Sequence, residues 1–305
     1  MITELHALNL ACDRRELQPR GTPLFPCEAY ACDIGDYPAR EIPPHWHPEL
    51  ELMRMDSGSA RVVAAGASFV LHAGEGCFVN TNGLHSIACA QEGVCRCHSL
   101  VFDAAIVAGL PGAVFDTRYV RPLLTGEPRS LPLRPQTDGT AALVCSAFED
   151  AFAACAGEAP GHEFAVRDAL SRVVLALSGS AKAHPAARPA AAQELRVKQM
   201  LSWLDEHYAE PVTLAALAAS VHICPRECQR DFARLLHLSP GEYLLRRRIA
   251  AAAQLLAATD LPVTEAALRS GFSSPSYFAK QFAAIIGASP RAYRAALRSA
   301  AGAAQ

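Results

Sequence analysis

The chain has 305 residues, is 51% hydrophobic and 19% charged, and carries a formal net charge of −2 at pH 7. That length and apolar content describe a globular protein with room for two separate cores. Its 11 cysteines are odd in number and not spaced as a small secreted disulfide scaffold, and no basic run precedes an apolar stretch near Leu10-Ala11-Cys12; both features point to free thiols in a reducing cytoplasm, and no window approaches a membrane span.

The N-terminal third reads as β. Short alternating or apolar runs, Leu50–Met55, Ala60–Ala64, Ser68–His72 and Cys77–Asn80, are broken by Gly58, Gly66, Gly74-Glu75-Gly76 and Asn82-Gly83. This spacing predicts an antiparallel barrel or jelly roll. Inside it lies His45-Trp46-His47-Pro48-Glu49-Leu50-Glu51. On one strand, positions 45, 47, 49 and 51 share a face, so two imidazoles and a carboxylate point together into the barrel. His85, after the Asn82-Gly83 turn, is a candidate fourth member.

The spacing His-x-His-x3-Glu-x6-Gly, ending at Gly58 and followed by a later His, resembles a cupin. The resemblance implies metal or effector ligands at His45, His47, Glu51 and His85. The second motif departs from the pattern, with Asn82 where a proline helps the turn before His85. Three imidazoles and a carboxylate suit Zn, Fe(II), Mn or Ni. The alternative is that the same side chains are hydrogen-bonding groups lining an empty or sugar-filled pocket.

Further along, Cys89, Cys95, Cys97 and His98 form a soft cluster. It reads either as a soft-metal or redox site or as small core fillers, since two residues apart on a strand share one face. Two amphipathic helices follow over residues 140–178, one aligning Val144, Phe148, Phe152 and Cys155, the other Phe164, Leu170, Val173, Val174 and Leu177. They are expected to pack on the N-terminal domain or on a second copy of the chain. Small residues and two prolines over 179–192 read as a linker.

The last third repeats. Pro211-Val212-Thr213 … Phe232 … Ser239-Pro240 … Tyr243 recurs as Pro262-Val263-Thr264 … Phe282 … Ser289-Pro290 … Tyr293. Each copy predicts a short helix, a tight turn and a second helix, with Thr213 and Thr264 as N-caps and Pro225 and Pro275 in first turns. Cys228, Phe232, Leu235 and Leu236 keep the spacing of one buried stripe and leave Arg226, Gln229, Arg230 and Arg234 outside it. In the second copy Tyr277, Phe278, Phe282, Ile285 and Ile286 are expected to turn inward, with Ser276 and Lys280 outward. That is helix-turn-helix logic, in which an exposed helix offers long donors to base edges.

Residues 196–298 resemble the DNA-binding domain of the AraC-type transcription regulators, through Arg248-Ile249, Leu255-Leu256, Gly271-Phe272, Ser276-Tyr277-Phe278, Phe282, Gly287, Ser289-Pro290 and Tyr293-Arg294. Pro44 to Glu51 also resembles the sensor domains fused ahead of such domains. The resemblance implies DNA reading by Arg226, Gln229 and Arg230 from the first recognition helix and by Ser276 and Lys280 from the second. Phe232-Ala233 and Phe282-Ala283 stand where the family commonly has Phe-Lys, His237 replaces a Gly and Cys228 a Leu. Each lost phosphate contact flattens the salt dependence by a slope of roughly 0.9, so modest affinity is expected. Residues 193–298 hold 13 Lys and Arg against nine Asp and Glu, which puts the positive share of an otherwise acidic chain where DNA belongs.

The sequence therefore predicts an α+β chain: a cupin-like antiparallel β-barrel sensor over 1–139, helices over 140–178, a linker over 179–192 and an all-α double helix-turn-helix domain over 193–298. Its expected role is a cytoplasmic, non-enzymatic, one-component transcription regulator that binds double-stranded DNA and a small polar effector or metal and works as a homodimer away from membranes. A cupin dioxygenase or isomerase carrying a DNA-binding tail is the competing class, disfavoured because an enzyme has no need of two reading heads. A thiol or metal sensor changes the effector but keeps the DNA output.

Overall fold

The computed structural model describes residues 2–4, 7–180 and 188–303. The chain divides into two compact units, Met1–Tyr37 with Glu41–Leu195, and Pro38–Arg40 with Arg196–Gln305.

The first unit contains β1 (Ile2–Glu4), β2 (Cys27–Asp33), β3 (Glu41–His45), β4 (Leu50–Ser57), β5 (Ser59–Ala64), β6 (Ala67–His72), β7 (Gly76–Val79), β8 (His85–Cys89) and β9 (Arg96–Phe102). After two short helices, α1 (Ala105–Ala108) and α2 (Arg121–Thr125), come β10 (Ser130–Leu133), α3 (Gly139–Gly157) and α4 (His162–Ser180). Six strands form one sheet in the order β1-β2-β9-β4-β7-β10, and four form another in the order β3-β8-β5-β6. The pairing is antiparallel except between β1 and β2.

Period-two alternation builds two cores on the larger sheet. From β4, Leu50 and Leu52 face one way, onto Val144, Phe148, Leu170 and Val173 of α3 and α4. Met53 and Met55 face the other, onto Ile42, Val62, Leu71 and Ile87 of the smaller sheet. Burial of a side chain such as Phe148 contributes about 1.5–3 kcal/mol, so the α3–α4 layer is a principal support of the sheet. Phe164, expected on the buried stripe of α4, is instead 80% exposed. By length and composition α3 is apolar enough to cross a membrane, contrary to the expectation for every window; its Val144, Phe148 and Ala151 are buried against the sheet.

The expected linker is only partly one. Gly179 and Ser180 end α4, residues 181–187 lie outside the described residues, and residues 188–192 already belong to α5 (Arg188–His207). Pro189 is tolerated in a first helical turn and Ala190 to Ala192 are strong helix formers, which explains why a stretch without apolar period still coils.

The second unit continues with α6 (Leu214–Ser220), α7 (Pro225–Leu236), α8 (Pro240–Ala258), α9 (Val263–Arg269), α10 (Pro275–Ile286) and α11 (Pro290–Ala303). Two pairs, α6–α7 and α9–α10, each join a seven-residue helix to a 12-residue helix through a short turn. The Thr213 side chain accepts from Ala216 N–H and caps α6 as expected. Thr264 does not cap its helix: α9 starts two residues earlier than such a cap requires, with Pro262 in the cap position, so Thr264 falls inside the first turn. Around α8, Ile249, Ala252 and Leu256 pack on Ala266, Phe272, Phe278 and Phe282. Tyr277 breaks the inward pattern and is 51% exposed. It occupies the place in α10 that the partly exposed Glu227 occupies in α7, 50 residues earlier.

Both longer helices end in left-handed backbone, at His237 (φ 53°) and Gly287 (φ 82°). A Cβ at Gly287 would meet no atom within 4 Å, so a side chain there suffers only the conformational penalty. Residues 193–305 expressed alone are expected to melt cooperatively by circular dichroism, and Gly287→Ala to lower that fragment's stability by about 1 kcal/mol, a Tm drop of roughly 4–8 °C.

Candidate functional site

The histidine motif does not lie on one strand. His45 ends β3 in the smaller sheet, residues 46–49 cross over, and Glu51 sits in β4 of the larger sheet. The four side chains converge because the chain changes sheets between them. His85 opens β8 directly opposite His45 in the ladder, with ring centroids 4.0 Å apart. Glu51 faces the interior because it is out of phase with Leu50 and Leu52.

Asn82 explains its own departure from the motif. Its backbone is left-handed (φ 57°), and its N–H donates to the carbonyl of His47 at 2.9 Å. A proline can supply neither the angle nor the donor. This turn therefore ties His47 to the strand that carries His85.

His45, His47, His85 and Glu51 are all at least 92% buried. One nitrogen from each imidazole lies within 4.8 Å of the others. His47 Nε2 is 3.4 Å and His85 Nε2 3.1 Å from Glu51 Oε2. His45 Nδ1 and His85 Nδ1 contact the carbonyls of Pro43 and Gly83 at 2.9 and 2.8 Å. Those carbonyls only accept, so they fix the Nδ1–H tautomer and turn both Nε2 atoms toward the cavity. His85 Nε2 makes no directed hydrogen bond despite its proximity to Glu51, and neither does the buried His47 Nδ1, 3.6 Å from Glu49 Oε2.

Electrostatics follow from burial in a small volume. Burial, reinforced by His85 and His47, pushes His45 well below the ordinary histidine range. Burial alone would also lower His85, but its contact with the Glu51 carboxylate outweighs this and raises it. Burial alone would raise Glu51, yet its histidine contacts hold it well below the ordinary carboxylate range. The site is thus a buried carboxylate facing imidazoles with oriented lone pairs.

These residues fit a divalent metal. Ligand bonds of about 2.1 Å in a tetrahedron put donor atoms about 3.4 Å apart, close to the two Glu51 separations, and carbonyl-fixed Nδ1 atoms are the usual outer shell of metal-binding histidines. The adjoining cavity of about 30 Å³ is lined by Glu16, Arg20, Tyr30, Cys32, Cys97 and Ser99 as well as by His45, Glu51 and His85 of the cluster. At roughly 10–15 Å³ per water, it holds an ion or a couple of waters, far short of a sugar.

Sequence reasoning missed part of this wall. Glu16 N–H donates to Trp46 O, so the N-terminal segment lies along the histidine motif. Glu16 Oε2 is 4.0 Å from His45 Nε2. Arg20 pairs with Glu16 and donates to Tyr30 Oη at 2.6 Å. No local motif marks these residues; only the tertiary path of the segment brings them in. Glu194 likewise accepts from the N–H of Leu84, the residue before His85.

The Cys89, Cys95, Cys97 and His98 grouping is not one site. Cys95 and Cys97 point into the core, whereas His98 lies on the other face of β9, stacked on Phe148 and paired with Asp56 and Glu149.

In the second unit Arg226, Gln229, Arg230, Ser276 and Lys280 are all exposed. The first three lie on one face of α7, and Ser276 and Lys280 are one turn apart on α10. Arg230 is held loosely, 3.6 Å from Glu227. α7 is anchored from behind by Asp231, which is fully buried and accepts from Arg196 of α5 at 3.0 Å. Within Arg246-Arg247-Arg248 of α8, Arg247 pairs with Asp205 and lies over the Tyr208 ring, and Arg248 donates to the carbonyls of Tyr208 and Glu210. Those two cations are structural.

The AraC-like ligand binding domain family matches residues 30–165, and a helix-turn-helix domain family matches residues 217–296. An uncharacterized HTH-type transcriptional regulator of Bacillus subtilis, YdeC, is 25% identical over 92% of this chain and 95% of its own length. The HTH-type transcriptional activator AarP of Providencia stuartii is 35% identical over 32% of this chain and 73% of its own. Among solved structures, the DNA-binding domain of the global transcriptional factor AdpA in complex with a target DNA is 35% identical, covering 34% of this chain and 94% of that one with a TM-score of 0.33. With a ligand-binding family over the sheets and a helix-turn-helix family over the helices, this chain belongs to the AraC-type DNA-binding transcription regulators.

Proposed function

We propose that the regulator senses a divalent metal, or a very small polar ligand held on one, at His45, His47, Glu51 and His85, and that it acts by binding rather than by catalysis. The observation that carries this reading is the fixed orientation of the histidines around a buried carboxylate. A carboxylate desolvated to this degree needs a cation or strong donors beside it. Zn, Fe(II), Mn and Ni match the donor set. The cavity volume favours an ion over a sugar-sized occupant.

Output is through DNA. In this reading Arg226, Gln229, Arg230, Ser276 and Lys280 face the major groove, with Tyr277 beside them as a further contact. Leu143, Phe164 and Leu175, 67%, 80% and 59% exposed on α3 and α4, suit a second copy of the chain and hence a homodimer. A cytoplasmic setting fits a DNA-binding protein whose cysteines are free thiols.

Protein purified without chelators is expected to hold stoichiometric metal by elemental analysis, lost in His45→Ala/His47→Ala while DNA binding persists. Metal-free wild type with a ligand-induced thermal shift absent from the double variant would instead mark a polar small-molecule pocket. An equal response of both proteins to inducer in cells would place the effector site elsewhere.

On DNA, the two helix pairs are expected to protect successive major-groove faces about 34 Å apart. Gln229→Ala and Arg230→Ala should each weaken binding by roughly 1–3 kcal/mol and relax preference at particular bases, read by titrating a panel of single-base operator variants. A uniform loss across the panel would mark phosphate contacts.

A further inference from the structure

Two thiols face each other in the wall of the cavity. Cys32 of β2 and Cys97 of β9 are direct partners across the antiparallel ladder, and their Sγ atoms are 3.4 Å apart. Directly opposed residues on antiparallel strands have Cα atoms about 4.5–5.5 Å apart, inside the roughly 4.4–6.8 Å that a disulfide spans. Side-chain rotation is therefore enough to bring the sulfurs to the bonding distance of about 2.05 Å, with no strand displaced.

The other cysteines make this pair stand out. Every cysteine is a free thiol. Cys95, just ahead of β9, donates instead to the Ser59 carbonyl. Cys27 and Cys155 approach to 3.9 Å in the core between the larger sheet and α3 and α4, but both are buried. Cys32 is partly exposed, whereas its partner Cys97 is buried. One sulfur can thus meet a solvent-borne oxidant while the other waits beside it, the arrangement of an attacking and a resolving thiol.

We propose that Cys32 and Cys97 are the site of a reversible intrachain disulfide, formed in the folded regulator by a hydroperoxide. The Cys32 sulfur attacks the distal peroxide oxygen; the O–O bond breaks, and Cys32 becomes a sulfenic acid as the departing oxygen leaves as water or alcohol. Cys97 sulfur then attacks the Cys32 sulfur, the S–O bond breaks, and the hydroxyl leaves with the Cys97 proton as a second water. Two thiols lose one electron each and the peroxide gains two. A dithiol reverses the bond by exchange.

The test uses the full-length reduced protein titrated with hydrogen peroxide, then denatured, alkylated and mapped by peptide mass spectrometry. The expected result is a peptide pair joined through Cys32 and Cys97 and lacking two hydrogens, appearing before any other oxidised species and lost again with dithiothreitol. Cys97→Ser should leave Cys32 as a sulfenic acid trapped by dimedone, and Cys95→Ser should leave the Cys32–Cys97 bond intact. The wild-type map stands without the variants, whose folding circular dichroism checks. A first-formed bond between Cys27 and Cys155, an intermolecular disulfide, or over-oxidation of Cys32 with Cys97 still a thiol would each overturn the assignment.

Discussion

The first unit is organised around one buried carboxylate. Glu51 sits on the interior face of a strand whose neighbours, Leu50 and Leu52, are committed to the opposite core, so it cannot turn outward without pulling an apolar row into water. Its charge has to be met where it stands. The histidines that meet it come from the end of one strand, the start of another and the crossover between the sheets. The Asn82 turn, the carbonyls of Pro43 and Gly83 and the N-terminal segment at Glu16 all serve to keep them there. Remove the carboxylate and the rest of this polar interior has no reason for its arrangement.

The second unit solves a different problem, that of exposing long polar side chains on a helix without losing its position. Phe232 and Phe282 are fully buried at equivalent places, and the buried Asp231 engages Arg196 behind the exposed face of α7. A buried charge of this kind adds little net stability but penalises misplacement heavily. Rigidity behind the exposed face limits the ordering cost of binding a partner. The capping boxes at Glu227 and Glu242 fix where α7 and α8 begin.

Much of this was legible in the sequence, for reasons particular residues make plain. Helix starts in the repeat are written in residue identity: Ser239-Pro240 and Ser274-Pro275 pair a capping side chain with a proline that only a first turn accepts. Strand positions were readable because Gly58, Gly66 and Gly74 punctuate them, each with positive φ. A single strand from 45 to 51 is not what the chain forms, yet the four side chains that such a strand and the later His85 single out still converge, because the crossover keeps them inward. What stayed hidden depends on contacts between distant segments. Glu16, Arg20 and Cys32 join the cavity through the chain's tertiary path, and no local period encodes that. Tyr277, an aromatic beside Phe278, looks apolar by composition, although its phase on the helix faces out.

The helix between the two pairs acts as a ruler. α8 has 19 residues, a length of about 28 Å, and each residue added to it would advance the second pair by about 1.5 Å while turning it by about 100°. Arg248 grips the carbonyls of Tyr208 and Glu210 from within this helix, and a Cβ on Gly271 would collide with the same Tyr208 carbonyl at 2.7 Å. In the proposed reading, side chains on α7 and α10 can be exchanged one at a time, each exchange altering which bases are preferred. The spacing of the two pairs is much harder to change, because no single insertion in α8 alters the distance without also turning α10 by about 100°. Descendants of this domain are free to drift in vocabulary while their punctuation stays fixed.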